Sequence, residues 1–163
     1  MDRATWDDEL ARCYPRVLRA LVGVSGSRVE AEDALHGAIE AALRPGVLGR
    51  IEHSDAWLFG VGTRILGRAR WRRRLEIALE HVGVAPRMDD RVIDRLLLEH
   101  LLRGLTQRQR AVIVARYYMD LTHAQIATAL RMREGTVSAT LHQALQRLRQ
   151  RAREEPGTWQ IES

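Results

Sequence analysis

The chain has 163 residues, a formal net charge of +5 and an isoelectric point near 10.5. That length holds one domain or two small ones, and the basic balance suits a polyanionic partner. The lone cysteine, Cys13, excludes an internal disulfide and any multi-cysteine zinc site.

No apolar run approaches bilayer length, and the polar start MDRATWDDEL carries no signal-peptide pattern. A soluble cytoplasmic protein is expected. All 26 basic residues are arginine. Codon bias explains that as readily as function does, and arginine binds phosphate well in either case.

The chain reads as helical almost throughout, with no sustained period-two alternation. The first helix is predicted over about Trp6 to Val22, with Leu10, Tyr14, Val17, Leu18 and Leu21 inward and Gly23 to Gly26 as its breaker. Asp7, Asp8 and Glu9 read as a solvated first turn, and Cys13 as a small core residue rather than a redox switch. Ser27 and Glu30 have capping-box spacing, opening a helix through Ala31, Ala34, Leu35, Ala38, Ile39 and Ala42. The run RPGVLG stops it and opens a loop to about His53. Ser54 can then cap a third helix, with Asp55 favourable in its first turn. That helix buries Trp57, Leu58, Val61 and Ile65. Its glycines, Gly60, Gly62 and Gly67, permit either close packing or a bend.

The third helix leaves on Arg68 to Arg74, five arginines around Trp71 with no acid before Glu76. Dipole compensation at a helix end accounts for one or two arginines, not five. Arginine neutralises phosphates and an indole offers a stacking surface, so contact with nucleic acid is expected here. From about Leu75 to Asp90 the period lapses into a linker. A helical face of Val92, Ile93, Leu96, Leu97 and Leu101 follows. Thr106 and Gln109 form another capping box, opening the helix RQRAVIVARYYM.

The stretch from Leu121 to Arg149 is the most informative. Thr122 and Gln125 form a capping box, and Ile126, Ala127 and Leu130 are inward. A turn follows around Arg131 to Glu134. The next helix repeats apolar residues at Val137, Leu141, Leu145 and Leu148. Its other face carries Thr136, Ser138, Thr140, His142, Gln143 and Arg147. This is the layout of a helix-turn-helix whose second helix enters a major groove. The competing reading is a helical hairpin that closes a bundle. No catalytic constellation is visible, and the six histidines follow no metal-ligand spacing. No enzyme, cofactor or metal is expected. The fold class is all-α: two small helical domains joined by a linker, the second a helix-turn-helix. Their expected bounds are 1–76, a linker at 77–91, 92–155, and a tail at 156–163.

The order and separation of these segments resemble the ECF (extracytoplasmic-function) sigma factors. LTQRQRAVIVARYYMDLTHAQIATAL followed by EGTVSATLHQALQRLR is similar to their region four. YPRVLRAL, AEDAL and AWLFGVGTRILGRARWRRR are similar to region two. The resemblance implies a factor that binds core RNA polymerase and promoter DNA and directs promoter-specific initiation, with an anti-sigma factor as a further partner. The polymerase-facing surface would hold Glu32, Asp33, His36 and Gly37. The minus-ten surface would combine Arg50 and His53 of the loop with Arg64, Arg68, Trp71, Arg72 and Arg73. The minus-thirty-five surface would be Arg133, Thr136, Ser138, Ala139, Thr140, His142, Gln143 and Arg147.

The chain departs from the family pattern at His36, Gly37 and Ile39, where Gln-Glu and then an aromatic are usual. It departs again at Ser138, Thr140 and Gln143, where basic residues are frequent, and at Arg64, where asparagine is usual. These departures motivate an alternative: a sigma-derived regulator that binds DNA or protein without productive polymerase docking.

Overall fold

The computed structural model describes residues 3–79, 102 and 104–154. Most of the expected linker, the face from Val92 to Leu101 and the tail after Pro156 lie outside the described residues. Within them are six α-helices, one 3-10 turn and no strand. The helices are α1 (Arg3–Ser25), α2 (Arg28–Ala42), α3 (Ser54–Leu79), α4 (Gln107–Tyr117), α5 (His123–Leu130) and α6 (Glu134–Glu154), with the 3-10 turn at Leu48–Arg50.

Helices α1, α2 and α3 pack on one another. Every third or fourth residue of α2 is a buried alanine or leucine, from Ala31 through Ala34, Leu35 and Ala38 to Ala42. Such a small-residue face lets neighbouring helices approach closely. Larger side chains fill the remainder: Trp6, Leu21, Leu58 and Phe59 are fully buried. Helix α1 does not stop at Gly23 as expected. It runs on to Ser25 and ends at Gly26, whose φ of +75° suits a residue without Cβ. Ser27 then caps α2, its hydroxyl accepting the Glu30 N–H at 3.3 Å.

Ser54 departs from its expected capping role. It is the first residue of α3, is buried, and its hydroxyl donates to the Glu9 carboxylate. Glu9 is thereby a tie between α1 and α3 rather than part of a solvated turn. Asp55 does act locally, accepting the Ala56 N–H at 2.7 Å. Helix α3 continues to Leu79, three residues into the stretch expected to be linker.

In the second half both capping boxes are reciprocal, Thr106 with Gln109 and Thr122 with Gln125. Ala111 to Ala115 are buried in unbroken succession. Five successive residues point in every direction round a helix axis, so this stretch is enclosed, and α4 packs against α1, α5 and α6.

The two halves therefore touch, through α1 on α4 and α3 on α5. Two glycines make this possible. A Cβ on Gly60 would lie 2.2 Å from the Ala129 carbonyl oxygen, and one on Gly23 would lie 3.3 Å from a Val114 methyl. Gly62 plays the same part within the first half, where a Cβ would meet Leu21 at 2.8 Å. Of the two roles open to the α3 glycines, close packing holds for Gly60 and Gly62. Polar ties reinforce the contact. The Arg64 guanidinium donates to the Ala129 carbonyl at 2.7 Å. Arg16 on α1 donates to the Tyr118 carbonyl at 3.3 Å and pairs with Asp120 at 3.6 Å and Asp55 at 4.0 Å.

Candidate nucleic-acid interface

The helix-turn-helix is built from α5 and α6. Arg131 ends α5 in the left-handed region, φ 53° and ψ 51°. Met132 N–H returns to the Ala127 carbonyl at 2.8 Å, closing the helix. The chain then reverses over three residues. The Arg133 carbonyl accepts from Thr136 N–H at 2.9 Å and Val137 N–H at 3.0 Å, which starts α6.

Helix α6 has two distinct sides. Val137 and Ala144 are fully buried, and Leu141, Leu145 and Leu148 pack around them. Ser138, Ala139, His142 and Gln143 are exposed, as is Arg133 in the turn. Thr136 is half-buried between the two sides. One expectation needs correction: Thr140 does not share the outward face. It lies three residues after Val137 and four before Ala144, on their row, and only 8% of it is accessible. Arg147 is exposed but engaged, its guanidinium donating to Gln109 Oε1 at 3.0 Å. That same oxygen accepts the Thr106 N–H of the α4 capping box at 3.1 Å, so Arg147 also ties α6 to α4.

One contact across the motif had no signal in the residue pattern. His123 Nδ1 of α5 lies 3.2 Å from Ser138 Oγ on the outward side of α6. The two residues are 15 positions apart.

A second basic surface lies along α3. Arg64, Gly67, Arg68, Trp71 and Arg72 line a shallow open depression of about 420 Å³. Trp71 is 65% exposed, unusual for an indole with a core available nearby. Arg64 differs from its neighbours in being half-buried and bonded to α5. Burial, with Arg131 and Arg68 close by, pulls its pKa below the ordinary guanidinium value. It still carries its charge at neutral pH. Arg50 and His53 are exposed in the loop ahead of α3. The side chain of Arg73 lies outside the described residues.

On α2, Asp33 and His36 are exposed, and Glu32 accepts from Arg28 Nε at 2.7 Å. His36 Nε2 sits 3.4 Å from the Tyr14 hydroxyl of α1. Gly37 is a correction to the expected surface. It faces α3, where an added Cβ would be 3.0 Å from Ile65 Cδ1. Its missing side chain makes room for the neighbouring helix. Among the described residues no cluster of three or more His, Cys, Asp or Glu could hold a metal ion. None of their helices is long and apolar enough to cross a membrane.

Comparisons with known proteins agree with this geometry. The family model for sigma-70 region 4 matches residues 101–150. The ECF RNA polymerase sigma factor SigL of Mycobacterium tuberculosis is 32% identical over 156 residues, covering 90% of this chain and 86% of that protein. The RNA polymerase sigma-E factor of Streptomyces coelicolor is 37% identical over 131 residues, covering 75% and 71%. The sigma factor RpoE of Bartonella quintana, solved in complex with the anti-sigma factor NepR, shares the fold with a TM-score of 0.73. It is 17% identical, and the match covers 98% of this chain and 99% of that one. With its helix-turn-helix, its basic α3 and relatives that match along most of its length, the chain belongs to the ECF family of RNA polymerase sigma factors.

Proposed function

We propose that this sigma factor, which binds core RNA polymerase and directs promoter-specific initiation, reads the minus-thirty-five element with the outward face of α6. The observation that carries this reading is the division of that helix. Val137 and Ala144 anchor it in the core, while Ser138, Ala139, His142 and Gln143 are exposed on the opposite side. Gln143 and Ser138 supply hydrogen-bonding groups suited to base edges, and Arg133 suits a phosphate. Thr136 stands at the edge of the reading face, and Thr140 supports it from behind.

The exposed arginines of α3, with Trp71 among them, form the surface for the minus-ten element, where unpaired bases offer stacking faces. Arg50 and His53 extend it. Arg64 lines the same depression while one of its guanidinium nitrogens holds the Ala129 carbonyl, which leaves its remaining donors for the DNA. Asp33, His36 and Glu32 form the surface for polymerase. Sigma factors are not themselves enzymes, so phosphodiester bond formation stays with the polymerase. The chain works in the cytoplasm with core enzyme and promoter DNA, and an anti-sigma factor is a fitting third partner. The solved relative bound to NepR supports that last point.

Reconstituted transcription with core polymerase tests the reading. The full chain should support run-off from a selected promoter, and Gln143→Ala should blunt discrimination against altered minus-thirty-five sequences. Equal loss on every sequence would reject base reading by this face.

A further inference from the structure

We propose that His123 is a specificity-positioning residue: it sets which way the Ser138 hydroxyl points, and so which base edge Ser138 accepts. The inference rests on α6 being the reading helix. Ser138 is exposed on that helix, and a serine hydroxyl alone is an indifferent reader because it rotates freely to donate or accept. Here it is not alone. His123 Nδ1, from the first residue of α5, lies 3.2 Å from its oxygen. Nε2 of the same ring makes no hydrogen bond among the described residues.

The two ring nitrogens are linked in a neutral imidazole, where one bears the proton and the other a lone pair. In a helix-turn-helix the first helix lies across the DNA backbone. A phosphate oxygen only accepts, so an Nε2 that meets it must carry the hydrogen. In the neutral ring Nδ1 is then the acceptor, and the Ser138 O–H donates to it. The Ser138 oxygen is left with its lone pairs directed away from the histidine. It can accept from the exocyclic amino group of adenine or cytosine, and it has no hydrogen to offer to guanine O6, purine N7 or thymine O4. A backbone contact that carries no sequence information thus fixes the polarity of a contact that does. With His123 removed, the hydroxyl turns freely and the preference at that base pair fades.

The test uses holoenzyme reconstituted from the full chain and core polymerase, bound to duplexes randomised across the minus-thirty-five element. His123→Ala, Ser138→Ala and the double variant are compared with the parent. The parent should favour adenine or cytosine over guanine or thymine at the one base that Ser138 meets. Each single variant should flatten that preference by about three- to tenfold, the range of one hydrogen bond. The double variant should do no more than either single one, because both act through the same hydroxyl. Effects that multiply would overturn the proposal, as would a His123→Ala loss spread evenly over all sequences. A parent preference for guanine or thymine at that base would overturn it too. Gln143→Ala is the reference for the underlying reading. If Gln143→Ala shifts sequence preference and the other variants do not, only the His123 role fails. If none of them shifts it, α6 is not the reading helix.

Discussion

Gly60→Ala probes the contact that joins the two halves. The new Cβ would lie 2.2 Å from the Ala129 oxygen, 2.8 Å from its carbonyl carbon and 3.0 Å from its Cα. All three are backbone atoms, so no rotamer change relieves the overlap and α5 must move off α3. Taken alone, the substitution favours the helix by about 1 kcal/mol. Overpacking opposes it by about 1–3 kcal/mol. Opening the contact also removes the Arg64 hydrogen bond. For a half-exposed guanidinium that loss is about 1 kcal/mol, below the value for a fully buried charged donor. The net is a destabilisation of about 1–3 kcal/mol. In a chain of 163 residues this lowers the melting temperature by about 3–10 °C. Thermal melting followed by circular dichroism reads the stability. Spin labels on cysteines engineered at the exposed Glu40 and Gln146, in a Cys13→Ala background, read the separation of the halves. Gly49→Ala, where an added Cβ meets nothing within 4 Å, is the control. A Gly60→Ala protein that melts no lower than its parent, with the label distance unchanged, would refute the reasoning.

Other substitutions test separate parts. Arg131 holds a left-handed conformation that costs a residue with Cβ about 1 kcal/mol, so Arg131→Gly should raise stability by about 0.5–1 kcal/mol in urea titration. No gain would mean that the Arg131 side chain contributes as much as its backbone costs. Arg68→Ala with Arg72→Ala should reduce the slope of log affinity against log salt by about one to two units on minus-ten DNA. An unchanged slope would show that these arginines stay in solvent. Burial, with help from the nearby Asp55 charge, pushes the Cys13 thiol up to about 11 from its ordinary 9.0. The unfolded chain therefore loses the proton first, and the contribution from this group is constant below pH 9 and falls as pH rises from about 9 to 11. Alkylation by iodoacetamide at neutral pH should be slow in the native protein and fast in denaturant. Equal rates would place the thiol in open solvent.

Local chemistry made the helix starts readable in advance. Thr106 with Gln109, and Thr122 with Gln125, sit at fixed spacing, and a capping box involves only residues within one turn. The inward row of α6 was mostly readable for a similar reason, since Val137, Leu141, Leu145 and Leu148 repeat at helical period. Thr140 escaped because threonine looks polar wherever it stands, and only the row of Val137 and Ala144 shows where it points. Gly37 was read as a deficit on a docking surface, yet its neighbour is Ile65 of another helix. Ser54 had the right residue type for a cap but found Glu9 instead, 45 positions away. Gly60 and Arg64 depend on Ala129, and nothing local marks a partner 65 positions from Arg64. Long-range pairing of this kind is where residue patterns fall silent, because it is set by packing rather than period.

The close approach at Gly60 also bears on how such a protein changes over generations. Glycine codons differ from alanine codons at one base, so a descendant gene can loosen the joint between its halves in a single mutational step and restore it by reversion. The coupling of the two modules is in that sense a heritable setting, adjustable without touching any residue on the reading face of α6.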